Sequence, residues 1–187
     1  MAAVLTITAA AVACGGSGDV RTRAADPPSA DEVSIWFPRI VDAIQPCDTA
    51  SRRTRDAIYA FAAKSNGSDT DPTIISAAGD GFEHCSSDAT PELHPRDLSD
   101  VPSAMIPLID RASSWLEAMA AANEAVLLAA AGNLDNRNLV AIAFDRQDEA
   151  DDANDAVVAE VARLAEALGV AFPDGQRLMR WDPPAYN

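Results

Sequence analysis

Positive charge is scarce in this sequence. It has 14 basic residues, of which only Lys64 is a lysine, against 29 acidic residues, so its formal net charge is −15. A protein that binds nucleic acid must neutralise phosphates with lysine and arginine, whereas this balance of charge repels them. The composition therefore excludes nucleic acid as an expected partner.

Recognisable catalytic motifs are also lacking. The histidines, His84 and His94, belong to neither a Glu-x-x-His nor a His-Glu-x-x-His pattern, and the chain has no Gly-x-Ser-x-Gly elbow and no glycine-rich phosphate loop. A hydrolase triad needs a positioned histidine, which two isolated histidines do not supply. We therefore expect a non-enzymatic protein with no catalytic residue, no cofactor and no metal site.

No apolar run is long enough to span a bilayer. Residues 1–13 carry no charged side chain, and the run ends in the motif Ala11-Val12-Ala13-Cys14. Its length suits the hydrophobic region of an export signal. The segment resembles the signal of bacterial lipoprotein precursors, in which a small residue precedes a cysteine that is acylated and becomes the mature N-terminus. The resemblance implies lipidation of Cys14, with palmitate or a similar chain, at the outer face of the cell membrane.

The composition changes after the signal. Residues 14–28 are rich in glycine, serine, aspartate and arginine and end in two prolines, which is typical of a flexible tether. We expect a signal peptide over 1–13, a tether over 14–28 and one helical domain over 29–187, held to the lipid bilayer by the acyl chains. An ordinary secretory signal with an incidental cysteine and a cytosolic start are the alternatives.

Apolar residues recur at helical spacing through most of the domain. The stretch on which the rest is organised is 135–169, where the apolar positions fall within one sector of a helix. These positions are Leu139, Ile142, Ala143, Ala150, Ala153, Val157, Val161, Leu164 and Leu168. The spacing predicts an all-α fold, a bundle of four or five helices.

Capping and stop signals divide the domain into five predicted helices. They run from Ser29 to before Pro46, from Asp48 to Asn66-Gly67, from Asp71 to Cys85, from Pro102 or Pro107 to Ala131, and from Asp135 to Gly169. The last two are joined by so few residues that we expect a long antiparallel hairpin at the C-terminal side. The tail over 172–187, which has apolar residues among its prolines, is expected to pack back onto the bundle.

Two cysteines remain if Cys14 is acylated. Cys47 stands before one predicted helix and Cys85 at the end of the next, and two consecutive antiparallel helices return the chain to its starting level. We therefore predict a Cys47–Cys85 disulfide, with α-carbons about 6 Å apart. The alternative is a metal site of both cysteines and His84, which lacks a Cys-x-x-Cys spacing and a second nearby histidine.

Acidic residues cluster on the helix predicted over 135–169. They are Asp145, Asp148, Glu149, Asp151, Asp152 and Asp155. Their angular positions favour a solvated face opposite the apolar stripe, and the alternative is an interaction face for a basic partner or for weakly held calcium. Arg146 falls in the apolar sector, so its side chain either extends to the surface or pairs with a buried acid on another helix.

Basic residues cluster at Arg52, Arg53 and Arg55. They form either an exposed helix face balanced by nearby aspartates or a contact for an anion or a lipid headgroup.

Small residues line both long predicted helices, over 118–122 and at Ala150 and Ala153. Alanines let helices approach closely, or they leave a groove for a small apolar ligand. The candidate lining residues of such a groove are Trp36, Trp115, Met119 and Trp181.

These observations predict a membrane-anchored, extracytoplasmic lipoprotein that acts as a non-enzymatic ligand-binding or interaction module. Its partners would be the lipid bilayer and either a protein or a small apolar ligand. The alternatives are a structural module of the cell envelope that engages a basic partner through the acidic face, and a metal- or cofactor-binding helical bundle. A binding module should have an apolar cavity among the long helices, with Met119 or a tryptophan on its wall.

Overall fold

The computed structural model describes residues 29–64, 71–93, 100–132 and 135–169. Four helices account for most of them: α1 (Ala30–Ala62), α2 (Pro72–Cys85), α3 (Ile106–Ala131) and α4 (Asn136–Leu168), with a short 3₁₀ helix at Pro91–Leu93. These ranges contain no strand. The predicted all-α fold is confirmed. The predicted signal, the tether with Cys14, His94, and the tail with Trp181 lie outside the described residues.

The core has two clusters of buried side chains, one towards each end of the bundle. The first contains Ile40, Leu108 and Val157, and the second contains Phe61 with Val126, Ala130 and Leu139 among others. Thus α1 and α3 contribute their N-terminal parts to the first cluster and their C-terminal parts to the second, whereas α4 does the reverse. The chain therefore runs alternately up and down, and α3 and α4 form the predicted antiparallel hairpin.

The prediction of two helices within residues 29–67 is wrong, because α1 continues through Pro38 and Pro46. A proline inside a helix removes one amide donor and crowds the carbonyl four residues earlier. Both prolines are exposed, and so are Ser34 and Asp42, whose carbonyls lose a helical partner. Water can satisfy those carbonyls, so the interruption leaves no buried polar group unpaired.

The apolar face of α1 stays in phase on both sides of Pro46. Ile40, Ile44 and Cys47 are buried before and just after it, and Ile58 and Phe61 follow at helical spacing. Burial of this continuous face offsets the cost of the proline, which is about 3 kcal/mol in a helix interior. A break there would have separated the two halves of the face.

Asp48 consequently does not cap a helix. Its carboxylate accepts a hydrogen bond from Arg52 Nε at 3.0 Å, one turn further along α1. The pair lies on the part-buried side of the helix. The predicted cap is thus replaced by an ion pair within the helix.

α1 ends at Ala62, before the predicted stop at Asn66-Gly67, which lies outside the described residues. Four other predicted helix boundaries are confirmed, together with the start of α3. Ser29 and Glu32 form a reciprocal capping box, and the side chains of Asp71 and Asp135 accept backbone hydrogen bonds at the starts of α2 and α4. Gly169 ends α4 with a φ of 67°, a left-handed conformation that glycine adopts without strain. α3 begins at Ile106, within the predicted interval, and has a proline in its first turn.

The predicted disulfide is also present. Cys47 and Cys85 are bonded with their α-carbons 4.6 Å apart. Cys47 lies in the middle of α1 rather than before a helix, so the bond joins the middle of α1 to the C-terminal end of α2. It fastens these two antiparallel helices where they face α3.

Candidate functional site

A pocket of about 200 Å³ opens between α1, α3 and α4. α1 contributes Ser51, Thr54, Arg55, Ile58 and Tyr59; α3 contributes Met119, Ala122, Asn123 and Val126; α4 contributes Val140, Ala143, Phe144, Gln147, Asp148 and Asp151. The small side chains Ala122 and Ala143 leave space where larger ones would fill the gap between the helices.

The pocket has an apolar end and a polar end, because the lining residues of α4 change from apolar to acidic along the helix. At one end the last turns of α1 and α3 meet the first turns of α4, which brings Ile58, Val126 and Val140 together. At the other end α4 contributes Asp148 and Asp151. Positions along a helix rise by about 1.5 Å per residue, so the two ends are about 16 Å apart.

Asn123 forms the base of the pocket. This side chain is only 3% exposed. Its Nδ2 donates to Ser51 Oγ at 2.9 Å and to the Met119 carbonyl oxygen at 2.8 Å. Its Oδ1 accepts from Thr54 Oγ1 at 2.8 Å. The polar atoms at the base are therefore satisfied by one another, as buried polar groups must be, and the base needs no hydrogen bond from a ligand.

Thr54 links this network to α2. Its Oγ1 lies 2.9 Å from the carbonyl oxygen of Ala77 as well as 2.8 Å from Asn123 Oδ1. The single hydroxyl proton can serve one of these acceptors at a time. The Thr54 hydroxyl of α1 thus lies beneath the pocket between acceptors on α2 and α3.

Gly81 makes room for Asn123. A β-carbon at this position of α2 would overlap the Asn123 side chain, lying within 2.5 Å of its Cγ. Such a contact is far inside van der Waals distance, so α2 can approach α3 here only with a glycine. By helix propensity alone a glycine at position 81 weakens α2, whereas the structure gives Gly81 a packing role.

The mouth of the pocket carries charge of both signs. On the α4 side Asp148 and Asp151 are exposed, and Gln147 Nε2 donates to Asp151 Oδ1 at 2.7 Å. On the α1 side the half-buried Arg55 lines the wall about midway along it. Phe144 is 45% exposed and stands one turn before Asp148.

The predicted groove residues lie in different places. Met119 lines the pocket. Trp115 is 4% exposed and belongs to the core instead. Trp36 packs partly buried against the same core, and the Arg39 guanidinium lies 5.2 Å from its ring centre. Trp181 is outside the described residues.

The predicted acidic face is exposed on α4. All six acidic residues of this face are exposed. They are Asp145, Asp148, Glu149, Asp151, Asp152 and Asp155. Arg146 is exposed as well and donates to Glu149 Oε2 at 2.9 Å on its own helix. It therefore extends to the surface rather than pairing with a buried acid on another helix. Two members of the face, Asp148 and Asp151, also line the pocket.

Sequence analysis missed the α1 wall and most of the α4 wall. The missed side chains include Ile58, Tyr59, Val140 and Phe144. One signal was present: the α4 residues 140, 143, 144, 147, 148 and 151 follow helical spacing along a stripe beside the core positions. The stripe changes along its length from apolar to acidic, and none of its residues is a tryptophan.

Two other properties bear on the alternatives. In the part of the chain that the structure describes, no group of three or more histidine, cysteine, aspartate or glutamate residues is placed to hold a metal ion. None of the helices within 29–64, 71–93, 100–132 and 135–169 combines the length and apolar character needed to span a bilayer.

No family model, no curated protein and no solved structure matches this chain. The pocket and the surface around it are therefore the features of this protein that bear on its function.

Proposed function

We propose that this protein is a non-enzymatic binding module for a small, largely apolar ligand. The observation that carries the proposal is the pocket between α1, α3 and α4, with Met119 on its wall. Ligand sites are characteristically concave and mostly apolar, with a few polar groups that orient the ligand. The lining of this pocket follows that pattern.

The size and lining of the pocket support a small ligand. Its volume is about 200 Å³, and an apolar cavity of about 150 Å³ in another protein accommodates benzene. The thioether of Met119 adapts to ligands of different shape. Because Asn123, Ser51 and Thr54 bond to one another, an apolar group can lie against them without breaking a hydrogen bond to water.

The cellular location is part of the proposal. We propose that an acylated Cys14 holds the helical domain at the outer face of the cell membrane. The lipoprotein-like motif at residues 11–14 supports this location. The Cys47–Cys85 disulfide also supports it, because structural disulfides persist mainly in oxidising compartments.

Ligand binding is tested by filling the pocket. Protein labelled with ¹³C at the methionine methyl groups is titrated with 1-octanol, and the Met119 signal is assigned with Met119→Leu. We expect a saturable shift of the Met119 methyl signal. Ala143→Leu places bulk in the pocket lining and should weaken binding at least tenfold, whereas Ala141→Leu, on the exposed side of α4, should not.

Two results would contradict the binding proposal. One is a Met119 signal that does not respond to 1-octanol in the unmodified protein. The other is equal affinity of Ala143→Leu and the unmodified protein while both show the same helix content by circular dichroism.

The location is tested by mass spectrometry of the protein isolated from its own membrane. We expect a chain that begins at Cys14 and carries the added mass of its acyl groups, and we expect Cys14→Ala to leave the membrane fraction. An unmodified Cys14 within the isolated chain would refute the anchoring.

A second candidate is a structural module that engages a basic partner through the acidic face of α4. The exposure of Asp145, Glu149, Asp152 and Asp155 favours it. Such binding should weaken steeply with added salt and should be the same in Ala143→Leu as in the unmodified protein, since the face remains intact. These two properties distinguish it from ligand binding in the pocket.

A further inference from the structure

The polar end of the pocket combines carboxylates with an aromatic ring. Asp148 and Asp151 line it from α4, and Phe144 lies on the same side one turn earlier. Carboxylates attract ammonium groups by charge. The two carboxylates therefore favour a ligand with a positively charged end.

Arg55 is the opposing charge in the lining. It lies in the middle of the α1 wall, and α1 runs antiparallel to α4. The lining thus contains one guanidinium and two carboxylates, so its net formal charge is negative. The surface beyond them adds Asp145, Glu149, Asp152 and Asp155, of which Glu149 accepts from Arg146.

The field of the whole protein acts in the same direction. With a formal net charge of −15, the protein attracts cations and repels anions at long range. An anionic amphiphile would have to bring its charge past the acidic face of α4. A cationic one would be drawn to it.

We infer that the pocket binds a small amphipathic amine, with its ammonium group at Asp148 and Asp151 and its apolar part extending toward Val126 and Val140. This inference rests on the proposed function, since it names the class of ligand for the same pocket. The axial register between α4 and the other two helices sets the orientation of the ligand in the pocket. The two ends of the pocket are about 16 Å apart, and this separation limits the length of the ligand.

The inference is tested with three probes of the same chain length and different charge. Octylammonium, 1-octanol and octanoate are each titrated into the protein at neutral pH and physiological ionic strength, with the Met119 methyl signal and calorimetry as readouts. We expect octylammonium to bind at least tenfold more tightly than 1-octanol, and octanoate to bind least tightly. A salt concentration near 0.15 M limits the long-range contribution, because the screening length is then about 8 Å.

A matched pair of double variants separates the pocket carboxylates from the general acidity of α4. Asp148→Asn with Asp151→Asn removes two charges from the lining, and Asp145→Asn with Asp152→Asn removes two exposed charges from the same helix outside it. We expect the first variant to reduce the preference for octylammonium over 1-octanol at least tenfold. We expect the second to change it less than threefold.

The outcomes distinguish this inference from the proposed function. Saturable binding of 1-octanol without a preference for octylammonium overturns the inference and leaves the proposed function standing. Equal losses in the two double variants, or a preference for octanoate, also overturn the inference. Failure of all three probes to shift the Met119 signal overturns both.

Discussion

The buried side chain of Asn123 holds the base of the pocket together through its hydrogen bonds. Its amide bonds to the side chains of Ser51 and Thr54 and to the backbone of its own helix. In a low-dielectric interior each of these bonds matters, because an unpaired buried polar group costs about 1 to 3 kcal/mol. The base of the pocket is therefore held in one arrangement before any ligand arrives.

Substitution by alanine should change the stability of the protein in opposite directions at the two glycines of α2. Gly79→Ala should stabilise the protein by about 1 kcal/mol, since a β-carbon there meets no atom within 4 Å and alanine is the better helix former. Gly81→Ala should destabilise it by about 1 to 3 kcal/mol, since Asn123 must move and lose hydrogen bonds. Urea unfolding followed by circular dichroism measures both.

Stabilisation by both substitutions would show that Asn123 can rearrange without loss. The packing role assigned to Gly81 would then be wrong.

The contacts of the Asp71 carboxylate should make the unfolding free energy of the protein depend on pH. Its carboxylate bonds to Lys64 at 2.8 Å and accepts from the Thr73 amide at 2.9 Å, and these contacts, that with Lys64 most of all, hold the pKa of Asp71 well below its usual range. A carboxyl whose pKa is lower in the folded state stabilises the fold above its unfolded pKa, about 3.9, and this contribution is lost as the pH falls below that value.

Asp71→Asn isolates this contribution, because asparagine also caps helices but carries no charge for Lys64. The difference in unfolding free energy between the unmodified protein and the variant should be present near neutral pH and shrink as the pH falls below about 4. Chemical denaturation at a series of pH values measures it. A difference that stays constant with pH would contradict the role of the ion pair.

At the scale of elements, α1 shows where local signals mislead. Pro46 and Asp48 together match a helix end followed by a cap, yet α1 passes through both. What decides is the apolar face, since Ile44, Cys47 and Ala50 keep one helical phase across the proline. The sequence shows that the apolar face keeps one helical phase. Whether the burial of that face outweighs the cost of a proline depends on how much apolar area the neighbouring helices bury.

The disulfide between α1 and α2 predicts a large contribution to stability. It joins residues separated by 38 positions, and closing a loop of that size stabilises a fold by about 4 kcal/mol in the chain-entropy model. Reduction should lower the unfolding free energy by about that amount while helix content is retained. Guanidinium unfolding with and without dithiothreitol measures it.

The disulfide experiment is best made in a Cys14→Ala background, so that no third thiol exchanges with the pair. A change below about 1 kcal/mol would show that contacts between the α1 and α2 segments persist in the unfolded chain and restrict it as much as the bond does.

At the scale of the whole molecule, charge opposes compactness. A formal net charge of −15 creates self-repulsion in the folded state, and the exposed ion pairs that counter it, such as Arg146–Glu149, contribute little. The acidic face of α4 concentrates this repulsion on one helix, where like charges at one-turn spacing destabilise.

Stability should therefore rise with sodium chloride between about 0.01 and 0.15 M, because the screening length falls from about 30 Å to about 8 Å over that range. Thermal unfolding measures the rise. Asp145→Asn with Asp152→Asn should reduce the slope against salt concentration, since it removes part of the repulsion. A melting temperature that falls with salt would show that ion pairs outweigh self-repulsion.

The pocket could be predicted only in part. The small residues around Met119 predict a groove beside it, and Met119 lines the pocket. The same prediction places Trp36 and Trp115 on the groove, but they pack against the core instead. Which apolar residues border a gap depends on how three helices are offset along their axes, and no single helix contains that information.

The amino-acid sequence alone was enough to predict the helices α2, α3 and α4, the N-terminal caps of α2 and α4, the end of α4 at Gly169, the hairpin and the cysteine pairing. Each of these depends on residues within a few positions of one another or on the direction of consecutive helices. Only the tertiary structure decided the continuity of α1, the placement of Asn123 opposite Gly81, and the pocket with its apolar and acidic ends. The physical reason is that these features arise from the packing of side chains far apart in the chain, where the axial register between helices sets which groups meet.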